Sequence, residues 1–242
     1  IMAEGIPGEK IAVIKNGVDL EFFSPERSLG PEAGRIPGLE NTQGKFVLSY
    51  VGTHGMAHGL DTVLKAAELL RDEPNVLFLL VGDGAEREHL LKQRDIMRLD
   101  NVVFLDQQPK TRMPAIWAVT DVSLVLLKDQ PLFTTVIPSK IFESMAMMKP
   151  LILGVRGESQ ALLEESGAGL CIQPESAVQL ARAVRRLYGD PDERRAMGLA
   201  GRSFVQQHFD RKVLAARYVE LLAAVLAGRR RQSASATSQT RS

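Results

Sequence analysis

Six short apolar runs alternate with segments of helical periodicity over most of the chain. The runs are FVLSYVG (46–52), NVLFLLVGDG (75–84), NVVFLD (101–106), DVSLVLL (121–127), PLILGV (150–155) and AGLCI (168–172). They are continuously apolar, as is typical of strands buried on both faces of a parallel sheet. The alternation predicts an α/β fold: a doubly wound, Rossmann-like parallel sheet of about six strands with helices on both faces.

The segments between and after these runs have the spacing of amphipathic helices. In residues 60–72 the apolar side chains of Leu60, Val63 and Leu64 recur on one helix face. Further helices are predicted at 85–98, 110–118, 138–148, 159–166, 175–188, 191–206 and 210–227. The predicted α/β domain, to which the resemblance described below assigns the binding of a nucleotide sugar, therefore covers residues 46–227.

Three other segments flank this predicted domain. Residues 1–28 contain an apolar run at 11–14 with no upstream strand to pair with, so we expect a segment that joins from a preceding half. Residues 29–45 are rich in Gly and Pro and are predicted to form a loop or linker. Residues 228–242 are arginine-rich and low in apolar side chains, and are predicted to be a disordered basic tail.

The charge balance and the cysteine content argue against several classes of protein. The net charge is +1, but without the four arginines of the tail the chain has 26 basic against 29 acidic residues, a net of −3. That balance argues against nucleic acid as a partner. The single cysteine, Cys171, excludes an internal disulfide and a cysteine-rich zinc site, and suits a reducing, cytoplasmic compartment.

Membrane contact remains an open alternative for the tail. No apolar run approaches the ~18 residues that a membrane span needs. The three adjacent arginines Arg229, Arg230 and Arg231 could contact anionic lipid on the inner face of a membrane, or could form a solvated terminus.

The loop GTHGMAHG (52–59) follows the first predicted strand. Ligands of doubly wound sheets bind beyond the carboxyl ends of the strands, and two glycines before a helix favour a phosphate. The loop matches neither GxGxxG nor the Walker sequence. His54 and His58 are four residues apart, but Gly55 interrupts any helix between them, so no metal site is predicted.

The segment KDQPLFTTVIPSKIFESMAM (128–147) follows the fourth predicted strand and gives the strongest indication of a ligand-binding site. Hydroxyl groups of Thr134, Thr135 and Ser139 lie near the start of a helix, together with the charge of Lys140. Glu143 is one helical turn further on and shares a face with Lys140. This arrangement fits a nucleotide, with diphosphate at the helix start and ribose hydroxyls on the acid; the alternative is a surface Lys–Glu pair.

With these loops, the chain resembles the C-terminal, donor-binding half of a GT-B-type retaining glycosyltransferase of a large nucleotide-sugar-dependent family. The resemblance rests on IAVIKNGVDLEFFSP, VGTHGMAHGLDTVLKA, VGDGAERE, NVVFLD, PSKIFESMAMMKPLI and ESGAGLCIQP in that order, over residues 11–226. The Pro-Ser-Lys-x-x-Glu form, residues 138–143, is similar to a bacterial subgroup that builds surface polysaccharides, including fucosamine transferases.

The resemblance implies an activity and its partners. A glycosyl group would pass from a nucleoside diphosphate sugar, UDP-linked, to a hydroxyl of an acceptor sugar or lipid-linked glycan with retention of configuration. It also implies that no metal or other cofactor takes part. An acceptor-binding half of roughly 150–200 residues, one typical domain, would precede Ile1. We expect this chain alone to transfer no sugar, because one half cannot bring donor and acceptor together.

The resemblance also implies roles for particular residues. Lys140 and His58 would stabilise the departing diphosphate and so act catalytically. At the diphosphate the substrate-binding residues would be Gly52 and Thr53, with backbone amides near Gly55 and from Thr135 to Ser139. Glu143 would bind the ribose, and the backbone of Leu105, Asp106 and Gln107 would read the base edge.

Three departures from the family pattern leave other functions open. Thr53 and His58 stand where the family commonly has an Arg and a Lys that grip the diphosphate, and Thr135 stands where it has a first glutamate. These changes favour a non-catalytic nucleotide-binding module or an inactive half as one alternative. A nucleotide-sugar epimerase is a second, although no further His and acid cluster for proton transfer is evident.

Overall fold

Six parallel strands form one sheet at the centre of the fold. The structure, a computed structural model, describes residues 5–26 and 36–239. The strands are β1 Phe46–Val51, β2 Val76–Val81, β3 Val102–Leu105, β4 Val122–Leu126, β5 Leu151–Gly154 and β6 Gly169–Cys171. Their order across the sheet is β3-β2-β1-β4-β5-β6, which confirms the predicted doubly wound fold.

β1 lies at the centre of the sheet, between β2 and β4. β1 pairs with β2 from Phe46↔Val76 to Val51↔Val81, and with β4 at Leu48↔Val122. The strand order reverses between β1 and β4, so a crevice opens beyond the carboxyl ends of these two strands. Ligands of open α/β sheets bind at this position.

The described part of the chain contains eight α-helices. They are α1 Asp61–Leu69, α2 Arg87–Met97, α3 Met113–Val119, α4 Lys140–Ala146, α5 Glu158–Ser166, α6 Ala177–Gly189, α7 Pro191–His208 and α8 Arg211–Gln239. α6 begins at Ser176, whose hydroxyl accepts from the Gln179 amide, and α7 begins with Pro191 in its first turn. Among the described residues, no helix is both long enough and apolar enough to cross a bilayer.

Successive residues of the strands enter different parts of the core. In β1, Leu48 and Tyr50 pack with Leu64 of α1 and Val184 of α6. Val47, the residue before Leu48, packs instead with residues of α3 on the opposite face. Both faces are therefore buried, which explains why the strands read as continuous apolar runs.

The flanking segments differ from the predictions in two places. Ile36 and Leu39, in the predicted loop, are buried against the sheet, whereas residues 29–35 lie outside the described part of the chain. α8 continues to Gln239 and so includes most of residues 228–242, for which a disordered tail is predicted from the sequence. Extending an existing helix costs less than nucleating one, and Arg and Gln are good helix formers. Residues 240–242 lie outside the described chain.

Residues 5–26 pack partly against the domain that follows them. Val18 forms a parallel bridge with Asp210, at the start of α8. Val18 and Phe23 are both 2% exposed and join the core cluster that contains residues of α4 and α7. The segment predicted as a connection is therefore built into this core.

Candidate functional site

An open cavity of ≈ 500 Å³ lies beyond the carboxyl ends of β1 and β4. It is lined by Phe23, Val51, Gly52, Thr53, His58, Gln107, Gln108, Lys110, Met113, Ser139, Lys140 and Glu143. A smaller cavity of ≈ 220 Å³ shares six of these residues and extends to Gly82 and Asp83 after β2. The site thus occupies the crevice that the strand order creates.

Lys140 is the first residue of α4, and its side chain lies against the end of β1. The Nζ atom is 4.0 Å from the centroid of the Tyr50 ring. A Cβ atom built at Gly52 would lie only 2.8 Å from this Nζ, and Gly52 has φ +146°, a conformation that favours glycine. Gly52 therefore leaves the space that the Lys140 ammonium occupies.

The environment of Lys140 weakens its hold on a proton. Burial lowers the pKa of Lys140 to about 8, and the charge of Glu143 opposes that shift only in part. Among the residues that the structure describes, none forms a hydrogen bond or an ion pair with Nζ. The face of the Tyr50 ring stabilises the cation without neutralising it. The ammonium is thus available to an anionic ligand.

Glu143 lies one turn further along α4 on the same face. Burial raises the pKa of its carboxyl group, while the charges of Lys110, Lys140 and Arg211 act in the opposite direction. The side chain is half-buried and has no hydrogen-bond partner among the described residues. An ionised carboxylate only accepts hydrogen bonds, so its oxygens suit a ligand that presents hydroxyl groups.

His58 ends the short 3-10 turn Met56–His58 that follows β1. Its Nδ1 lies 3.4 Å from the carbonyl oxygen of Leu126, and its ring centroid is 5.7 Å from that of Tyr50. Burial, followed by the charge of Lys140, lowers the pKa of His58, so the free imidazole is neutral at pH 7. His58 would supply positive charge only when a bound anion raises its pKa again.

The structure brings together seven of the eleven predicted site residues. Gly52, Thr53, His58, Gln107, Ser139, Lys140 and Glu143 all line the larger cavity. The Thr53 carbonyl oxygen accepts a hydrogen bond of 2.8 Å from the Tyr50 hydroxyl, which joins the loop to the ring beneath Lys140.

The other four predicted residues do not line either cavity. Leu105 is only 7% exposed, and its carbonyl oxygen accepts from the Gly82 amide at 3.0 Å. The Asp106 carboxylate faces solvent and pairs with Arg87. Gly55 accepts from the amide of His58, and Thr135 is exposed at the end of the 3-10 turn Pro131–Thr135.

Sequence reasoning missed five residues that complete the wall of the larger cavity, the first of which is Val51 at the end of β1. Gln108 and Lys110 follow β3, and their position after a strand was a signal that could have identified them. Met113 begins α3, and Phe23 comes from the amino-terminal segment. No local pattern places Phe23 at the site, because its position depends on packing against α4 and α7.

His54 has a structural place beside the site rather than in it. Its side chain is 0% exposed and packs between the rings of Tyr50 and Phe104. Its backbone amide donates to the Asp83 carbonyl, and its own carbonyl accepts from Glu86, both at 2.8 Å. These backbone hydrogen bonds join the loops after β1 and β2, and burial lowers the pKa of His54 to about 4, so the ring itself is neutral.

The sequence matches one protein family over most of its length. A family model described as glycosyl transferases group 1 matches residues 36–204. A putative colanic acid biosynthesis glycosyl transferase, WcaI of Escherichia coli, is 27% identical over 186 residues, which are 76% of this chain and 45% of that protein. The chain thus spans about half of the length of the curated relatives it matches.

Solved structures share the fold. HepE of Anabaena in complex with UDP-glucose aligns with a TM-score of 0.77 at 20% identity, over 92% of this chain and 60% of that one. The C-terminal domain of a group 1 glycosyl transferase family protein, LpcC of Francisella tularensis, aligns with a TM-score of 0.64 at 18% identity. That alignment covers 81% of this chain and 100% of the LpcC domain.

Proposed function

Because the chain belongs to the family of group 1 glycosyl transferases, we propose that its cavity binds the nucleoside diphosphate sugar of a glycosyl transfer reaction. The sugar is transferred from a UDP-linked donor to a hydroxyl of an acceptor sugar or lipid-linked glycan, with retention, in surface polysaccharide synthesis. The names of WcaI and of the HepE complex support the polysaccharide product and the UDP donor.

The observation that carries the proposal is the presence of two half-buried, oppositely charged groups, not paired with each other, on one face of α4. The Lys140 ammonium has no anionic partner among the described residues, and Glu143 follows it by one turn. A diphosphate beside Lys140 and a ribose beside Glu143 would satisfy both groups. A helix that holds both side chains sets the spacing between the two halves of a nucleotide.

Lys140 also meets the main chemical demand of the reaction. Negative charge develops on the diphosphate as the glycosyl bond breaks, and a fixed cation aimed at it lowers the barrier. The effect is larger in a partly dry site than in water. Since this cation can meet the developing charge, we also propose that transfer needs no metal ion.

The position of Lys140 can compensate for the two cationic residues, common in the family, that the loop after β1 lacks. Thr53 has no charge, and burial lowers the pKa of His58 so that its free ring is neutral at pH 7. Lys140 approaches the same loop from α4 and places its Nζ beside Gly52. In this proposal the diphosphate cation comes from a different element of the fold.

The remaining wall suits a flat, polar base. Gln107 and Gln108 follow β3, and Met113 and Phe23 add apolar surface. Gln108 is held in one orientation, because its Nε2 donates to the Asp106 carbonyl and its Oε1 accepts from Arg112. We therefore propose Gln107 as the side chain free to read the base edge.

Calorimetry with UDP, UMP and uridine tests the proposal. We expect UDP to bind more tightly than uridine, and Lys140→Met to remove most of that difference, since a charge-assisted contact contributes about 1.5–3 kcal/mol. Lys149→Met is the matched control, because burial also lowers the pKa of Lys149 but it lines neither cavity. Equal losses for UDP and uridine, or equal effects of the two variants, would contradict the proposal.

A further inference from the structure

Lys140 has a second chemical property that the proposed function does not use. An amine becomes a nucleophile when it loses its proton, and a lysine reacts faster than others when its surroundings favour the neutral form. The Lys140 amine is buried against the Tyr50 ring at 4.0 Å and opens into a cavity of ≈ 500 Å³. It is therefore partly buried by the protein and still reachable by a small molecule.

We propose that Lys140 is an acylation site for acyl phosphates, and that the amide formed there prevents nucleotide binding. The first part concerns the reactivity of one side chain and stands independently. The second part rests on the proposed function, because it requires the nucleotide to occupy the same cavity.

The reaction is an ordinary acyl transfer. The lone pair of the neutral Nζ forms a bond to the carbonyl carbon of the acyl phosphate. The bond from that carbon to the phosphate oxygen breaks, and its electron pair leaves with inorganic phosphate. One proton passes from the nitrogen to phosphate or water, so the products are N-acyl-lysine and inorganic phosphate.

The cavity supplies a reason for selectivity. Lys110 lines the same cavity, and its charge acts on Glu143 in the cavity wall, so it can also attract the phosphate end of the reagent. Lys149 lines neither cavity. A reagent that carries a phosphate should therefore reach Lys140 before it reaches other buried amines.

The lowered pKa of Lys140 also supports its proposed reactivity as a nucleophile. Its pKa of about 8 leaves half of the side chains neutral at pH 8, against about 0.3% for a lysine of ordinary pKa. The titratable groups around it are Tyr50 on β1, His54 and His58 in the following loop, Glu143 on α4, and Lys110 across the cavity. Of these, Glu143 alone raises the pKa of Lys140.

Acylation would fill the space that the ligand needs. Gly52 and the Tyr50 ring lie against Nζ on one side, where even an added Cβ atom would be 2.8 Å away. The acyl group therefore has to project into the cavity. It also removes the charge that the proposed function assigns to the diphosphate.

The direct test is peptide mapping by mass spectrometry after incubation with acetyl phosphate at pH 8. We expect Lys140 to be acetylated at least about tenfold faster than Lys149 and Lys110, because it combines a lowered pKa with an open path to the reagent. Lys110→Gln should slow acetylation of Lys140 by acetyl phosphate severalfold but leave its reaction with acetic anhydride unchanged. Acetylation of Lys140 at the rate of Lys149 or slower would overturn the proposal.

A second measurement separates this proposal from the proposed function. Excess UDP should protect Lys140, and acetylated protein should lose UDP affinity; Lys140→Arg, which is not acetylated at position 140, should keep the same UDP affinity before and after treatment. Fast acetylation without protection by UDP would support the acylation site and overturn its link to nucleotide binding. Tight UDP binding with slow acetylation would overturn the acylation site and leave the nucleotide site standing.

Discussion

At the scale of single residues, Lys140 shows a conflict between stability and binding. A buried ammonium without an anionic partner is unfavourable, and the Tyr50 ring offsets only part of that cost. The pKa of Lys140 is lowered to about 8, so the folded protein releases this proton more readily than the unfolded chain does. The charged form of Lys140 therefore destabilises the folded state. Such a group is retained where a ligand uses its charge.

Replacing Lys140 by Met should therefore stabilise the free protein. Between pH 8 and about 10.4 the unfolded chain binds more protons than the folded one, so the contribution of Lys140 makes stability rise with pH in that window. Below pH 8 the full cost of the buried charge is present. We expect Lys140→Met to raise the free energy of unfolding at pH 7 by on the order of 1–3 kcal/mol.

Urea unfolding at pH 7 and pH 10 measures both effects. The gain from Lys140→Met should be largest at pH 7 and should shrink at pH 10. Lys65→Met, on the exposed face of α1, is the control and should stay within about 0.5 kcal/mol of the parent protein. A destabilising Lys140→Met at pH 7 would show that the ammonium has a partner which the structure does not reveal.

Glu143 gives a second prediction for a single residue. Glu143→Gln keeps the shape of the side chain but replaces one acceptor oxygen with a donor amide. We expect about a ten- to hundred-fold loss of UDP affinity, the equivalent of one good hydrogen bond of about 1–3 kcal/mol. In calorimetry, the 2′,3′-dideoxyribose analogue of UDP should bind the two proteins more nearly alike. Unchanged UDP affinity would show that Glu143 of α4 does not bind the ribose.

At the scale of elements, the position of α4 depends on its contact with α7. A Cβ atom at Gly198 of α7 would lie 2.3 Å from the Met148 carbonyl oxygen, just beyond the end of α4. At Gly201 the added atom would meet Met145 of α4 at 3.1 Å. The two glycines therefore let α7 approach the helix that holds Lys140 and Glu143.

Gly198→Ala should destabilise the protein although alanine favours helices. The helix preference would contribute up to about 1 kcal/mol in favour, whereas a clash with backbone costs about 1–3 kcal/mol. We expect a lower melting temperature and weaker UDP binding, because α4 has to move. Gly189→Ala at the end of α6 is the matched control: its added Cβ meets open space, and we expect no loss. A Gly198→Ala protein as stable as the Gly189→Ala protein would contradict this account.

Elements with a strong local pattern were predictable from the sequence. The six apolar runs all became strands, because two covered faces demand apolar residues at consecutive positions. The helix predicted at 110–118 divides instead into a 3-10 turn at Lys110–Arg112 and α3 from Met113, with Pro114 in its first turn. Proline lacks the amide that would extend a helix through it, so the boundary moves.

At the scale of the whole molecule, the site joins residues that local patterns cannot connect. The spacing of Lys140 and Glu143 was visible, because three residues form nearly one helical turn. The approach of Lys140 to Gly52 could not be predicted from the sequence. The two residues are 88 positions apart, and their contact depends on the pairing of β1 with β4. The same holds for Phe23, which reaches the cavity only because the amino-terminal segment packs on α4 and α7.

The amino-terminal segment should therefore unfold together with the sheet. Phe23 is 2% exposed, and its carbonyl oxygen accepts from Arg202 of α7, which also donates to the Ala146 carbonyl at the end of α4. Removing the ring leaves a cavity between these elements. We expect Phe23→Ala to lower the free energy of unfolding by about 3–5 kcal/mol, with a single transition retained.

The effect of Phe23→Ala should also reach the nucleotide, because Phe23 is part of the cavity wall. Urea unfolding followed by both fluorescence and circular dichroism, with UDP calorimetry under native conditions, measures the two consequences. Val13→Ala is the control in the same segment: Val13 is 78% exposed, and its loss should change stability by no more than about 0.5 kcal/mol. If Phe23→Ala resembles Val13→Ala in both measurements, the segment is not part of the core, and the wall it forms at the site is not needed for binding.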